Sequence, residues 1–175
     1  ASDYISYLTK CGVVKGSLED DNIILFNPDR SMKRVEFAIM MTNYLGINVD
    51  EYADVNLPFT DNDDIPWWAE NNVKAVYSLG LMKGQLGQFG TAFNPNADIN
   101  RMEFAISLNR LLPAGLYSEP ITAADADEIP FWAEESMKTA VAQGIMSGYP
   151  DGTLKPFKSV SRAEAVKMVY NIFGM

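Results

Sequence analysis

Histidine is absent from this chain, and cysteine occurs once, at Cys11. Without histidine, the chain lacks the side chain that most often acts as a general acid or base near neutral pH. A single cysteine excludes an intramolecular disulfide, and its apolar neighbours indicate a small packed residue rather than a reactive thiol. Paired carboxylates remain for acid–base catalysis, but nothing in the sequence sets two of them at a useful separation. We therefore do not expect an enzyme.

Basic residues are also scarce, since 14 lysines and arginines stand against 23 aspartates and glutamates and give a net charge of −9. Binding to nucleic acid or to an anionic membrane surface requires a basic face, so neither is an expected partner. No apolar run approaches the roughly 18–20 residues of a membrane-spanning helix, so membrane insertion is not expected. The acidic segments DNDDI and DADEI lack the spacing of a calcium-binding loop, and no metal ion or cofactor is predicted.

What the chain does contain is a threefold internal repeat. A glycine-bounded pentapeptide recurs at intervals of 68 and 64 residues, and the arginine of an R-x-E motif recurs at intervals of 67 and 61 residues. The pentapeptides are GVVKG, GLMKG and GIMSG, and the arginines are Arg34, Arg101 and Arg162. Such self-similarity is typical of repeat architectures. We therefore assign three copies to residues 1–53, 54–117 and 118–175, which we expect to form one compact domain.

Each copy is predicted to fold as helix, loop and helix. The first helix follows IPWWAE or IPFWAE, where proline and an acidic residue suit the first turn, and it ends near Gly80 or Gly144. The third copy alone has the tight-turn sequence YPDGT, in which we expect a positive φ at Gly152. A two-helix unit this small cannot bury its own apolar stripe, so the copies must pack together. Because no copy is specially polar, we expect a mainly α fold of three helix-loop-helix repeats, packed as a closed pseudo-threefold bundle rather than an open stack.

The repeated arginine lies in the first turn of the second helix, where the backbone dipole disfavours a cation. One interpretation is an anion site, because a guanidinium grips a carboxylate with two parallel N–H bonds and free amides at the helix start add to the grip. The other interpretation is structural. Each arginine would then pair with a nearby acid such as Glu36, Glu103 or Glu164, or bridge to a neighbouring copy.

The combined pattern F-x-D, W-A, G-[ILV]-x-x-G, F-x-P and [TS]-R-x-E resembles the S-layer homology repeat, which usually occurs in threes. In the second copy the matching residues are Phe59, Asp61, Trp68, Ala69, Gly80, Gly84, Phe93, Pro95, Arg101 and Glu103. The third copy matches from Asp125 to Glu164, and the first matches from Ala1 onward to Glu36. The resemblance therefore covers essentially the whole chain.

This resemblance implies a non-covalent anchor that holds secreted proteins on the bacterial cell wall or in its S-layer. The ligand implied is a secondary cell-wall polysaccharide bearing pyruvate ketals on N-acetylmannosamine, bound in grooves between the prongs of a three-pronged pseudo-trimer. The family's principal contact with the acidic sugar is the arginine of the repeat motif, which corresponds here to Arg34, Arg101 and Arg162. Family members are often fused to enzymes or lattice proteins, so a cargo domain in the parent protein and a monomeric anchor are expected.

Tryptophans and aspartates of the motifs are further candidate ligand residues. Trp68 and Trp132 suit stacking on the apolar face of a sugar ring, although they suit anchoring a helix start in the core equally well. Asp61 and Asp125 can accept hydrogen bonds from sugar hydroxyls, although capping or turn formation ahead of the helix also explains them.

The second glycine of each pentapeptide completes the candidate set. Gly16, Gly84 and Gly148 can let the backbone approach a ligand closely, or can serve only to permit unusual dihedral angles. Lys15 and Lys83 precede two of these glycines and can add positive potential to a groove, whereas the third copy has a serine there.

The first copy departs from the pattern, because Ala1 aligns with Ala69 and Ala133 and the segment carrying F-x-D and tryptophan has no counterpart. A groove that needs that segment is expected to be incomplete. Lys33 also replaces the usual threonine before the arginine, which removes a side-chain cap from the first site. The alternative function is a protein–protein assembly module of a surface layer with no carbohydrate site.

Overall fold

A computed structural model describes residues 2–10, 12–13, 17–18, 24–113, 115–116 and 119–173. This part of the chain is mainly helical, as the sequence predicts. Its α-helices are α1 (Ser2–Lys10), α2 (Arg34–Tyr44), α3 (Glu70–Ser78), α4 (Arg101–Asn109), α5 (Phe131–Ala142) and α6 (Arg162–Phe173). Short 3-10 helices occupy Val49–Tyr52, Asn62–Asp64, Trp67–Ala69 and Ala126–Glu128.

The helix boundaries follow local sequence signals. At the start of α4, Asn100 Oδ1 accepts the backbone N–H of Glu103 at 2.9 Å, and the Glu103 carboxylate accepts that of Asn100 at 3.2 Å. This reciprocal pair is a capping box, which satisfies two amides that a helix start otherwise leaves open. Gly80 and Gly144 follow α3 and α5 with φ values of 71° and 67°, a region that glycine adopts without steric cost.

The loops contain β-hairpins that the prediction of plain loops missed. Strand β1 (Ser17–Leu18) pairs antiparallel with β2 (Ile24–Leu25), and β3 (Gln85–Gly87) pairs antiparallel with β4 (Gly90–Ala92). Strands of two or three residues are too short to produce a recognisable alternation of apolar and polar residues.

The third copy has the predicted tight turn at the corresponding place. Tyr149 N–H donates to the carbonyl of Thr153 at 2.8 Å, and Gly152 has a φ of 79°. The positive φ expected at Gly152 is therefore confirmed.

Helices pack across copies rather than only within them. Helix α3, the first of the second copy, packs against α2 of the first copy, and α5 of the third copy packs against α4 of the second. Helix α1 packs against α6, which brings the two ends of the repeat array together. Each apolar stripe is thus buried against a helix that the repeat order assigns to another copy.

Backbone hydrogen bonds connect three equivalent positions in a ring. Met32 N–H donates to Val160 O at 2.9 Å, Val160 N–H donates to Ile99 O at 2.9 Å, and Ile99 N–H donates to Met32 O at 3.0 Å. All three residues are buried and lie just before the second helix of their copies. Every copy therefore donates to one neighbour and accepts from the other.

The core next to this ring contains three further equivalent residues. Phe37, Phe104 and Ala165 have no exposed surface, and the rings of Phe37 and Phe104 lie 4.4 Å apart between centroids. Two large side chains and one small one thus fill the position where the three second helices begin.

Replacing Phe104 by alanine should lower the free energy of unfolding by about 3–5 kcal/mol, because it leaves a cavity where the copies meet. The measurement is urea denaturation followed by circular dichroism. Phe89→Ala is the matched control, because Phe89 is 86% exposed and its loss should change stability little. Equal destabilisation by the two substitutions would contradict this description of the core.

Candidate functional site

The three repeated arginines are buried at the contacts between copies. Arg34, Arg101 and Arg162 are 4%, 3% and 5% exposed. The Nε–H of each donates to a carbonyl oxygen in the loop of a different copy. These acceptors are Phe93 for Arg34 at 2.8 Å, Leu154 for Arg101 at 2.7 Å and Phe26 for Arg162 at 2.8 Å. Each guanidinium therefore fastens the start of one helix to the loop of another copy.

Each arginine also faces a glutamate of another copy. The pairs are Arg34 with Glu103 at 3.4 Å, Arg101 with Glu164 at 3.9 Å and Arg162 with Glu36 at 3.5 Å. Desolvation lowers the pKa of Arg34, although Glu103 opposes this and an arginine keeps its charge in a protein. These contacts match the structural interpretation left open by the sequence, and they explain why a cation lies at the start of a helix.

The amides at the helix starts are already hydrogen-bonded. In α4, Arg101 N–H donates to Lys158 O at 3.0 Å, Met102 N–H to Pro156 O at 2.9 Å and Glu103 N–H to the Asn100 side chain. In α6 the corresponding acceptors are Arg30 O, Pro28 O and the Ser161 hydroxyl. The expectation that free amides at the start of these helices contact an anion is therefore wrong, because carbonyls of another copy occupy them.

Asp61 and Asp125 hold the loops that the arginines contact. Both carboxylate oxygens of each accept backbone N–H groups. The donors are Phe93 and Asn94 for Asp61, at 2.7 Å each, and Leu154 and Lys155 for Asp125, at 2.8 and 2.7 Å. Asn94 and Lys155 have positive φ values of 56° and 50°, which cost energy in residues other than glycine. The two aspartates stabilise this strained loop, which lies about 30 residues away, and neither side chain caps the short helix that follows it, so the expected cap or turn ahead of the helix is wrong.

The glycines of the pentapeptides differ in their surroundings. Gly84 has a φ of 73°, and a Cβ there would lie 2.7 Å from the Phe59 ring and 2.8 Å from Ala92 O. A Cβ at Gly148 would lie 3.1 Å from Thr153 O. Packing and the positive φ therefore require glycine at position 84, whereas a Cβ at position 148 needs only a small shift of the Thr153 carbonyl. Gly16 lies outside the described residues.

An open cavity of about 540 Å³, here called the Arg34 cavity, lies beside Arg34. All three copies line it: Arg34 comes from the first, Gly84 and α4 from the second, and Trp132 from the third. Trp132 is 68% exposed. The remaining lining residues are Met82, Lys83, Gln85, Leu86, Met102, Glu103, Ile106, Ser107 and Arg110. The structure therefore brings Arg34, Gly84 and Trp132 together from distant parts of the sequence.

A smaller cavity of about 200 Å³, here called the Arg101 cavity, lies beside Arg101 and includes Gly148. Its Tyr149 ring lies 4.8 Å from the Arg101 guanidinium carbon, and the Tyr149 hydroxyl donates to Glu164 at 2.7 Å. The chain's own tyrosine therefore covers this arginine. No tryptophan is present among the described residues that line the cavity.

The remaining candidates are not gathered at these two cavities. Trp68 is 55% exposed and lines neither of them, and neither do Asp61 and Asp125. By repeat register, the loop that would accompany Arg162 contains Lys15, which is also outside the described residues.

The sequence interpretation missed Arg110, Gln85 and Tyr149, which line the cavities without belonging to the shared motifs. Comparing the copies position by position would have revealed them as the places where the loops and second helices differ. Within the described ranges, no three acidic or cysteine side chains are grouped as they would be around a metal ion. No helix described here has the length and apolar character needed to cross a membrane.

Comparison with known proteins identifies the family. The S-layer homology domain matches residues 58–105 and 124–166, together just over half of the chain. The chain belongs to the S-layer homology domain family. Among its relatives, a cellulosome-anchoring protein of Acetivibrio thermocellus is 32% identical over 83% of the chain, and an S-layer protein of Bacillus thuringiensis subsp. finitimus is 29% identical over 95%. An amylopullulanase of Thermoanaerobacterium thermosulfurigenes is 28% identical over 98% of the chain.

The aligned region is a small part of each of these S-layer homology proteins. It covers 32% of the cellulosome-anchoring protein, 19% of the S-layer protein and 9% of the amylopullulanase. The same module thus occurs in cell-surface proteins and in an enzyme, which indicates a cell-surface anchoring module.

Asp125→Asn should lower the free energy of unfolding by about 1–3 kcal/mol at pH 7, because an amide cannot accept both backbone N–H groups. Although burial opposes ionisation, the amides of Leu154 and Lys155 hold the pKa of Asp125 below its usual 3.8. The carboxylate's stabilisation is therefore complete above that value and is lost as pH falls through the lower folded-state pKa. Urea denaturation from pH 7 to pH 3 should show the two proteins converging in stability at the acid end.

Asp127→Asn is the control for this comparison, because Asp127 is an exposed neighbour in the same segment. The free energy of unfolding of this variant should follow that of the unchanged protein at every pH. A difference in the free energy of unfolding between Asp125→Asn and the unchanged protein that stays constant down to pH 3 would contradict the role assigned to this carboxylate.

Proposed function

We propose that this chain is a non-covalent anchor that binds an acidic polysaccharide of the bacterial cell wall through pyruvate ketals on N-acetylmannosamine. The observation that carries the proposal is the Arg34 cavity, in which a buried guanidinium, two exposed cations and an exposed tryptophan line one open hollow. Its volume of about 540 Å³ falls within the roughly 300–1,000 Å³ typical of small-molecule sites.

The guanidinium has donors to spare for a ligand carboxylate. Arginine carries five N–H bonds, and within the described part of the chain Arg34 uses Nε on Phe93 O and Nη1 on Glu103. Donors on Nη2 remain for an incoming oxygen. Trp132 offers an apolar face to a sugar ring and an indole N–H to its hydroxyls.

Local charge explains how an acidic protein attracts an acidic polymer. The chain carries a net charge of −9, yet the Arg34 cavity has Arg34, Lys83 and Arg110 against a single described acid, Glu103. Opposite charges attract strongly at contact distance, while the overall field is screened by salt. Salt also screens the attraction that the exposed cations Lys83 and Arg110 exert on the polymer, and binding is therefore expected to weaken as ionic strength rises.

We also propose that the copies at residues 1–53, 54–117 and 118–175 form one closed, three-pronged domain, with the ligand sites between prongs. Two observations support the closed arrangement. They are the ring of hydrogen bonds through Met32, Ile99 and Val160 and the packing of α1 on α6. The aligned region covers about a third or less of the length of each relative described above. We therefore propose that the parent protein of this chain is secreted and carries a further cargo or lattice domain. The anchor itself is proposed to be monomeric and to perform no catalysis.

A protein–protein assembly module of a surface layer is the second candidate. Large apolar side chains are highly exposed just before α3, at the start of α5 and on the β3–β4 hairpin. The exposed fractions are 85% for Trp67, 91% for Phe131, 87% for Leu86 and 86% for Phe89. Isolated exposed apolar residues are ordinary, but several on one small domain favour contact with other macromolecules.

Purified cell-wall polymer should bind the chain. Removal of the pyruvate from that polymer with mild acid should abolish most of the binding, because the carboxylate is the group that the guanidinium contacts. Co-sedimentation at low and high salt measures both effects. Equal binding to the two preparations would contradict the carboxylate mechanism. No binding to either, with self-association that depends on concentration in analytical ultracentrifugation, would favour assembly.

The three buried arginines themselves are unsuitable for this test. Arg34→Ala, for example, removes the donor to Phe93 O and the partner of Glu103, so it should destabilise the contact between copies. Loss of binding in such a variant would not separate ligand contact from folding.

A further inference from the structure

Arg110 is a cationic residue of the Arg34 cavity that neither of the other copies repeats. Counting from the repeated arginine, its equivalents are Asn43 and Asn171. The Arg110 Nη1 donates to Leu81 O at 2.8 Å, and Asn171 Nδ2 donates to Gly144 O and Ile145 O at 3.0 and 3.4 Å. An asparagine therefore makes the same kind of contact with the loop after the first helix. The positive charge of Arg110 is not required for that contact.

This charge has no counter-ion within the described residues. Arg110 forms no ion pair there, and neither does Lys83 on the same cavity, while Glu103 is already the partner of Arg34. Desolvation lowers the pKa of Arg110, which nevertheless stays protonated as arginines in proteins do. Two exposed cations thus face an open hollow with no carboxylate paired to them in the described part of the chain, so both are available to a bound anion.

The Arg101 cavity differs at each of these positions. Ser147 takes the place of Lys83, Tyr149 that of Gln85 and Asn171 that of Arg110, while Lys167 adds one cation where the Arg34 cavity has an isoleucine. Tyr149 lies over Arg101 and binds Glu164. At about 200 Å³, this cavity is smaller than typical small-molecule sites.

We propose that the Arg34 and Arg101 cavities are not equivalent, and that Arg110 determines the specificity of the Arg34 cavity for the carboxylate of an acidic saccharide. This inference rests on the proposed function, since it names the residue and the cavity through which the anchor distinguishes acidic from neutral sugar. The repeated arginine builds each cleft and offers donors to the carboxylate, and the unrepeated Arg110 adds the contact that makes the Arg34 cavity selective.

The test uses two probes, the methyl glycoside of 4,6-O-pyruvylated N-acetylmannosamine and the same glycoside without pyruvate, titrated by calorimetry at several salt concentrations. Arg110→Asn should weaken binding of the pyruvylated probe about tenfold, because one charge-assisted contact is lost. It should also flatten the salt dependence of binding and leave the affinity for the neutral probe unchanged. The thermal unfolding temperature should stay the same, because asparagine keeps the loop contact. Arg110→Lys should retain part of the affinity.

Asn171→Arg is the matched reciprocal variant. It should leave affinity for the pyruvylated probe within about twofold, and it should not restore binding when combined with Arg110→Asn, because Tyr149 covers Arg101. Restoration would overturn the non-equivalence of the cavities. Unchanged affinity and salt dependence in Arg110→Asn would overturn the role of Arg110 while leaving the anchor function intact. No binding of the pyruvylated probe by the unchanged protein would overturn the proposed ligand and this inference with it.

Discussion

A buried arginine that reaches from the start of one helix to the loop of another copy is the interaction on which this structure depends. A charge at 3–5% exposure must have partners, and each guanidinium finds a carbonyl and a glutamate that its own copy does not supply. Arg34, Arg101 and Arg162 therefore satisfy their hydrogen bonds only when the copies are assembled. The backbone ring through Met32, Ile99 and Val160 imposes the same condition on uncharged groups.

The same interaction prepares the clefts between copies. Holding the guanidinium at the base of a hollow removes the conformational entropy that a mobile arginine would lose on binding an anion. Arg34 and Arg101 each lie beside such a hollow, but unrepeated residues decide what lies over them. Gln85 leaves the Arg34 cavity open, whereas Tyr149 at the same repeat position covers Arg101. Similarity in sequence thus produces similar scaffolds with different openings.

Much of the local structure was predictable from sequence because its causes are local. The helices, the glycines that follow α3 and α5, and the turn at Gly152 depend on residues a few positions apart. The hairpin β3–β4 was not predictable, since its strands are too short to show a pattern. For Asp61 and Asp125, the sequence suggested a local cap or turn, whereas their backbone partners lie 29–33 residues away. Neither partner could be identified from spacing.

By itself, the sequence determined that three like units exist, that each places an arginine at the start of its second helix, and that no unit can bury its apolar stripe alone. Only the tertiary structure decided which copy each arginine contacts, that carbonyls accept the first amides of the helices, and that Trp132 of the third copy lines the same cavity as Arg34 of the first. The reason is physical. Those outcomes depend on distances between groups from different copies, and such distances exist only once the helices have packed.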